Sequence, residues 1–144
     1  MQVDALAPGL FLMSHTNAVP AATGVRVEPS GTQVPVPVFS CSGTSCKAEP
    51  IPLSTAAGRP IYLSFYGTGF RGANPDNVTC SIWDQQLPVL YAGPQGTPGL
   101  DQINVRLPPE LLEAVAGQPY GPGLVSVTIR INGIVSNSAR IDVN

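Results

Sequence analysis

Short runs of alternating apolar and polar residues, separated by proline or glycine, constrain the fold of this chain more than any other feature. Ile61, Leu63 and Phe65 belong to one such run, with different residues between them. Because strand side chains point alternately to two faces, this pattern predicts strands with one face in a core. Glycine and proline contribute 15 and 16 of the 144 residues, and their positions between the runs predict tight turns. The chain is therefore predicted to be all-β.

The runs predict roughly nine short strands and one short helical turn. The clearest strand, residues 123–131, ends in Asn132-Gly133, a dipeptide typical of hairpin turns. Its partner is predicted to run from residue 134 to 143, with an irregularity at 136–138. The only helical pattern, residues 108–116, has proline in its first turn and glycine after its end. We expect an immunoglobulin-like β-sandwich, with a closed barrel as the alternative architecture.

Proline restricts where one of the other strands can lie. Pro35 and Pro37 in the run 33–39 lack backbone N–H groups on the same side, so this strand is predicted to lie at a sheet edge. The remaining predicted strands lie at about residues 7–13, 22–28, 47–53, 60–66, 77–83, 87–91 and 103–107. We predict one sandwich domain over residues 1–144, in which 1–58 supply N-terminal strands and a hairpin and 59–144 form the main body.

Charge and hydropathy exclude two classes of partner. Charged residues make up 11% of the chain and the net charge is -2, so no basic stripe is present to neutralise phosphates, and nucleic acid is not predicted as a partner. The apolar runs are broken by proline or glycine well short of the roughly 20 residues of a membrane span, so no membrane-spanning segment is predicted.

The first residues lack the basic and apolar regions of a signal peptide, so secretion has to be inferred from other features.

The spacing of the cysteines indicates the redox environment. Cys41 and Cys46 flank a four-residue turn, and we predict a disulfide between them; free thiols and half of a zinc site are the alternatives. A disulfide implies an oxidising compartment, so we expect a secreted or cell-surface protein. Cys80 shares one strand face with Val78 and Ile82 and is predicted to be a small buried residue.

The segment from Leu87 to Pro108 predicts two strands joined by a loop of defined shape. Prolines fix φ and glycines permit positive φ, so we do not expect a flexible tether. Asp101, Gln102 and Asn104 are expected to supply polar groups at the far end of the loop. If any surface recognises a partner by shape, this loop is the first candidate; the alternative is that its rigidity only sets the pairing of the two strands. The residues of the loop are Gly93, Pro94, Gln95, Gly96, Thr97, Pro98 and Gly99.

Three segments carry a resemblance to a known family. Residues 62–72 (YLSFYGTGFRG), 88–108 (PVLYAGPQGTPGLDQINVRLP) and 127–137 (VTIRINGIVSN) together resemble the Solibacter-type uncharacterised C-terminal domain. The resemblance implies an immunoglobulin-like module at the C-terminal end of large secreted or surface proteins of soil bacteria. No catalytic or ligand-binding residues come with it.

The titratable residues do not form a catalytic pattern. His15 is the single histidine, and no paired acids lie near it in the sequence, so no enzyme activity and no cofactor are predicted. Asp76, Asn77, Asp84 and Asp101 lack the dense oxygen-ligand spacing of a calcium site, and no metal is predicted.

Two non-catalytic functions remain. The first is a structural or interaction module that attaches to a protein partner or to neighbouring copies of itself; strand addition would then use residues 139–143 or the N-terminal segment rather than the proline-bearing edge. The second is a carbohydrate-binding module, for which Tyr62, Tyr66 and Trp83 are the candidate aromatic surface because all three are predicted to face away from the core. The alternative role of these rings is to fill space between strands or to cover a sheet edge.

Overall fold

The computed structural model describes residues 8–70, 73–82, 85–116 and 123–144. Strands dominate the chain, at 58% of residues against 6% in helix, which confirms the all-β prediction. The described strands are β1 (Gly9–Leu10), β2 (Leu12–Ser14), β3 (Val19–Pro20), β4 (Ala22–Val27), β5 (Gln33–Val36), β6 (Phe39–Ser42), β7 (Ser45–Ala48), β8 (Pro50–Ile51), β9 (Ile61–Thr68), β10 (Val78–Ile82), β11 (Gln85–Leu87), β12 (Val89–Pro94), β13 (Asp101–Leu107), β14 (Gly123–Ile131), β15 (Ile134–Val135) and β16 (Ala139–Val143). Helix α1 covers Leu111–Ala116, and a 3-10 turn covers Leu53–Thr55.

Two sheets form the body of the domain. Sheet I has the strand order β12-β13-β9-β4-β5, with β1 also paired to β9. Sheet II has the order β11-β10-β14-β16-β8, with β15 also paired to β14. Within these two sheets the pairings of the described strands are antiparallel except for the short parallel contact between β16 and β8. Two hairpins, β2–β3 and β6–β7, form small sheets of their own.

One hydrophobic core joins the two sheets. Leu63 and Phe65 of β9 are fully buried, as are Val127 and Ile129 of β14. All four belong to a single cluster that takes the inward residues of both sheets. Since burying one such side chain contributes roughly 1.5–3 kcal/mol, the alternating strands are the main source of stability. The predicted sandwich-like arrangement is therefore the observed one.

The strand predicted at residues 87–91 is in fact two strands in different sheets. Leu87 ends β11 in sheet II, where it pairs with Cys80, and Val89 begins β12 in sheet I, where it pairs with Val105. Pro88 lies between them, and its carbonyl accepts a hydrogen bond from the Arg106 backbone N–H at 3.0 Å. Proline suits this position because it has no N–H to contribute to either sheet.

Other predicted strands also differ in detail from the structure. The N-terminal strand is divided into β1 and β2, the run 47–53 is divided into β7, β8 and the 3-10 turn, and α1 begins at Leu111 instead of residue 108. The strand β16 is not an edge, because it pairs with β14 on one side and with β8 on the other. The Arg140 backbone N–H also donates to the Ala18 carbonyl at 2.8 Å. Residues 139–143 are therefore excluded as the joint for strand addition.

Several local predictions are confirmed. The strand β14 has the predicted bounds, and its partner is interrupted between β15 and β16, as the irregularity at 136–138 predicted. Ser136 explains the interruption, because its Oγ accepts a hydrogen bond from the Ile129 N–H at 2.9 Å in place of a strand partner. The strand β5 lies at the edge of sheet I, as Pro35 required, but it ends at Val36, so Pro37 lies beyond it and Phe39 begins β6. The cysteine hairpin also forms, with Cys41 paired to Cys46 across β6 and β7 at disulfide distance.

Candidate functional site

The outer face of sheet I carries a cluster of tyrosine and amide side chains. We call it the tyrosine face, and its residues are Tyr62, Ser64, Tyr66, Tyr91, Gln102, Asn104 and Arg106. Their neighbours along β9 and β13 are buried, so the alternation that fills the core also turns these residues outward. No described element covers them completely: Tyr91 is 40% exposed, and the others are half-buried.

Cross-strand pairing fixes the arrangement of these residues. Tyr62 lies opposite Arg106, and Tyr66 lies opposite Gln102. Asn104 occupies the centre, because it pairs with Ser64 on one side and with Tyr91 on the other. Directly paired residues have Cβ atoms about 5 Å apart. The three tyrosines therefore surround a polar centre formed by an amide and a hydroxyl.

Hydrogen bonds hold the polar centre in one orientation. Gln102 Nε2 donates to Asn104 Oδ1 at 2.6 Å and lies 3.5 Å from Ser64 Oγ. The hydroxyls of Tyr66 and Thr23 are 3.3 Å apart. The Tyr91 hydroxyl donates to the carbonyl of Pro94, so this side chain extends along its own strand, β12. The face is consequently ordered before any ligand binds, which lowers the entropic cost of binding.

Arg106 is the charged residue of this face. The outward positions of β4, β5, β9 and β13 that the structure describes hold no carboxylate. The ion pairs of the described residues involve Arg26, Lys47 and Arg59, and the Arg106 guanidinium takes no part in them. A half-buried guanidinium with five donors thus lies beside Tyr62 without an acidic partner in the described part of the chain.

Two of the three residues of the predicted aromatic surface lie among the described residues. Tyr62 and Tyr66 do share the outer face of β9. Trp83 lies outside the described residues; the strand that precedes it, β10, belongs to sheet II and not to sheet I. Tyr91 was not among the predicted residues, because the run 87–91 gave no indication of a change of sheet or of the register shift between Val89 and Tyr91.

The candidate interaction loop has the defined shape that its composition predicts. Its backbone is closed by two hydrogen bonds, from Gln95 N to Leu100 O at 3.0 Å and from Leu100 N to Thr97 O at 3.1 Å. Gly96 and Gly99 have φ values of 110° and 78°, which other residues rarely adopt. A shallow hollow of about 370 Å³ is lined by Pro94, Gly96, Pro98 and Gly99. No titratable side chain lies in residues 93–99, so the loop offers its shape, its backbone groups and the side chains of Gln95 and Thr97.

Asp101 does not supply a polar group to the loop surface, contrary to expectation. The side chain is 2% exposed, and its Oδ2 accepts a hydrogen bond from the Phe70 backbone N–H at 3.0 Å. Phe70 is itself fully buried. Asp101 therefore anchors the turn after β9, while Gln102 and Asn104 belong to the tyrosine face instead of the loop.

A second hollow lies between the small hairpins and sheet II. It has a volume of about 310 Å³ and is lined by Asn17, Val19, Lys47, Ala48, Leu124, Arg140 and Asp142. Burial, and then the negative charge of Glu49, raise the pKa of the Asp142 carboxyl above its usual value. Glu49 also approaches the Lys47 ammonium at 3.9 Å. The lining of the hollow carries charges of both signs, and the Ser40 hydroxyl donates to Glu49 Oε1 at 2.5 Å.

The remaining reactive residues are isolated from one another. His15 is exposed in the turn between β2 and β3. Cys80 is fully buried, and burial raises the pKa of its thiol to about 12, which keeps it protonated and unreactive at neutral pH. This agrees with its predicted structural role. The described residues contain no group of three or more histidine, cysteine or acidic side chains that would hold a metal ion.

Comparison with known proteins gives no relative for this chain. No family model, no curated protein and no solved structure matches it.

Proposed function

We propose that this chain is a non-catalytic extracellular interaction module that attaches through the tyrosine face. The observation that carries the proposal is the ordered set of tyrosine, amide and guanidinium side chains on the outer face of sheet I. Such groups combine large aromatic area with hydrogen-bond donors and acceptors, the combination that recognition surfaces use. The core needs none of them, because the opposite faces of the same strands already fill it.

The cysteine hairpin supports an extracellular location. Cys41 is exposed, and a disulfide at such a position persists only in an oxidising environment. Among the described helices none is long and apolar enough to cross a membrane. The resemblance to a C-terminal module of secreted or surface bacterial proteins is in line with this location, and both the resemblance and the immunoglobulin-like topology stay predictions.

The dispersal of titratable groups supports a function without catalysis. His15 lies on the small hairpin β2–β3, and Cys80 is enclosed in the core. General acid–base chemistry needs a base within hydrogen-bond reach of the group it deprotonates. Among the described residues the carboxylates of Asp142 and Glu49 are the nearest approach to a paired site, and that of Glu49 is engaged locally, by the Ser40 hydroxyl that donates to it and by Lys47 at 3.9 Å.

Carbohydrate binding is the second candidate function and a specific form of the first. The observation that favours it is the placement of tyrosine rings around the amides of Gln102 and Asn104, because rings stack on the apolar faces of sugars while amides bond to hydroxyls. Attachment to a protein would instead favour a surface with an apolar centre.

The test is binding of the purified, fluorescently labelled domain to the surface of the cells that produce it. We expect saturable binding that unlabelled domain displaces. The triple variant Tyr66→Ala, Gln102→Ala, Asn104→Ala should abolish it, whereas Arg130→Gln and Ser126→Ala on the outer face of sheet II should not. Equal binding by the triple variant would contradict the proposed surface. Failure of the unmodified domain to bind would contradict attachment itself.

A further inference from the structure

We propose that the ligand of the tyrosine face is an acidic polysaccharide whose uronate carboxylate pairs with Arg106. This inference rests on the proposed function, because it names the ligand of the same surface. It goes further by assigning separate tasks to the rings, the amides and the guanidinium.

The rings supply the stacking positions. Tyr62 and Tyr66 are four residues apart on β9, which corresponds to about 13 Å along a strand. Tyr91 lies two strands away, across Asn104. Three rings spread over such a distance suit an extended chain that crosses several sugar units, and not a small ligand enclosed in a pocket. Neither of the two hollows described above is lined by any of these tyrosines.

The amides supply the polar contacts between the rings. Gln102 Nε2 donates to Asn104 Oδ1 and to Ser64 Oγ, so the amide N–H groups of Asn104 and the carbonyl oxygen of Gln102 are the groups that face a ligand. Ser64 adds a hydroxyl that both donates and accepts. Sugar hydroxyls need this mixture of donors and acceptors, and the centre of the face presents it in a fixed orientation.

Charge decides between neutral and acidic sugars. The described outward positions of sheet I combine one guanidinium with no carboxylate, so the face has a local positive charge although the chain carries -2 overall. A guanidinium forms paired hydrogen bonds with a carboxylate. Arg106 lies directly opposite Tyr62, so a uronate ring stacked on Tyr62 would have its carboxylate within reach of the guanidinium.

The same surface fits other macromolecules less well. Nucleic acid binding relies on several cations along a phosphate backbone, whereas the tyrosine face has one cationic side chain at its described positions, Arg106. Protein interfaces have an apolar centre, whereas the centre here is Ser64, Gln102 and Asn104. The two large aliphatic side chains with the greatest exposed fraction lie away from this centre. Leu124, which is 54% exposed, lies on β14 of sheet II, and Leu90, which is 53% exposed, lies at the bulge of edge strand β12.

The test is titration of the folded domain with oligomers of polygalacturonate and with the same oligomers methyl-esterified at the carboxyl groups. The two probes share their hydroxyls and stacking faces and differ in charge. Calorimetry should show binding of the acid form and at least ten-fold weaker binding of the ester. The variant Arg106→Gln should bind the acid form at least ten-fold more weakly, close to the ester, with Arg130→Gln as the matched control on sheet II.

Tyrosine variants separate stacking from folding. Tyr66→Ala should abolish binding, whereas Tyr66→Phe, which keeps the ring and loses the hydroxyl bonded to Thr23, should retain most of it. Thermal unfolding of each variant shows that it is folded before titration.

Two results would overturn the inference. Equal affinity for acid and ester, unaffected by Arg106→Gln, would remove the role of charge. If neither probe binds while the labelled domain still binds cells through the tyrosine face, the ligand is not an acidic polysaccharide, and the proposed function as an interaction module still stands. Loss of cell binding by the unmodified domain would instead contradict the proposed function.

Discussion

Gly67 marks a position where the backbone has no room for a side chain. It lies in β9 opposite Leu10 of β1, close to the carbonyl oxygen of Gly9. A Cβ at Gly67 would collide with that oxygen and would also lie 3.0 Å from the ring of Phe70. The first described strand therefore approaches β9 closely only because residue 67 is glycine.

Gly67→Ala is expected to destabilise the protein by about 2–3 kcal/mol, because the backbone of β1 must move to admit the methyl group. Urea unfolding followed by circular dichroism measures the change. Gly9→Ala is the matched control, since a Cβ there meets only Thr68 Oγ1 at 3.5 Å; its effect should stay within about 0.5 kcal/mol. If both variants lose a similar amount of unfolding free energy, the close approach of β1 to β9 is not the reason that residue 67 is glycine.

Asp142 makes the stability depend on pH. Burial and the nearby Glu49 charge raise its folded-state pKa above the ordinary value of 3.8. The folded protein therefore binds this proton more tightly than the unfolded chain, and the stabilising contribution is complete below pH 3.8 and is lost as the pH rises through the folded-state pKa.

Asp142→Asn is accordingly expected to raise the melting temperature at pH 7, on the order of 1–2 °C, since it removes a carboxylate that ionises at a cost. The advantage should shrink as the pH falls towards 3. Thermal unfolding of both proteins between pH 3 and pH 7 checks this, with the exposed Asp76→Asn as control. If the melting temperature of Asp142→Asn rises further above that of the unmodified protein as the pH falls, the pKa of Asp142 is not raised in the folded state.

At the scale of elements, the sequence predicts correctly those strands that keep the same face buried along their whole length. The strands β9, β13 and β14 keep one face in the core throughout, so their alternation is complete. The run 87–91 is different, because Leu87 and Val89 both face the core but belong to different sheets. Alternation reports which side of a strand is buried and not which sheet the strand joins, so the change at Pro88 could not be predicted.

The cysteine hairpin is an element attached to the fold without being part of either sheet. The strands β6 and β7 pair with each other alone, and Cys41 is exposed while Cys46 is buried. The disulfide therefore constrains the hairpin, and the sandwich core contains neither cysteine.

Replacing both cysteines, Cys41→Ser with Cys46→Ser, is expected to lower the free energy of unfolding by about 2 kcal/mol or less, because the closed loop is short. The urea m-value should not change, since the same core is exposed on unfolding. The reduced unmodified protein provides the control and should match the double variant. Loss of the cooperative transition in both samples would mean that the hairpin is required for the sandwich to form.

For the molecule as a whole, the described sheet edges are poorly suited to strand addition. The edge strand β5 contains Pro35, β8 has two residues, and β11 has three. The edge strand β12 follows Pro88 and is bulged at Leu90. Prolines, bulges and short strands all oppose pairing between sheet edges.

The purified domain is therefore expected to be monomeric. Light scattering coupled to size exclusion, at concentrations from micromolar to near-millimolar, measures the mass directly and should return 15.0 kDa throughout. A mass that rises with concentration would contradict this. In that case Leu90→Lys on the β12 edge would be the first variant to examine, with Leu124→Lys on sheet II as control.

The candidate site could be predicted only in part. Tyr62 and Tyr66 were placed on one face because they lie on one uninterrupted strand. Asn104 and Arg106 join them through the pairing of β13 with β9, which are distant in sequence, and Tyr91 joins through the register shift between Val89 and Tyr91 in the pairing of β12 with β13. Cross-strand register is not encoded in local alternation. A surface assembled from three strands therefore needs the three-dimensional structure before its members are known.

The change of sheet at Pro88 also links the two halves of the sandwich mechanically. A single residue spans from β11 in one sheet to β12 in the other, so the sheets cannot part at this corner without stretching the backbone. Amide hydrogens of β10 and β13, which flank this crossing, should consequently exchange with solvent through one shared opening event. In this way a proline that interrupts a strand makes the two sheets open as one unit.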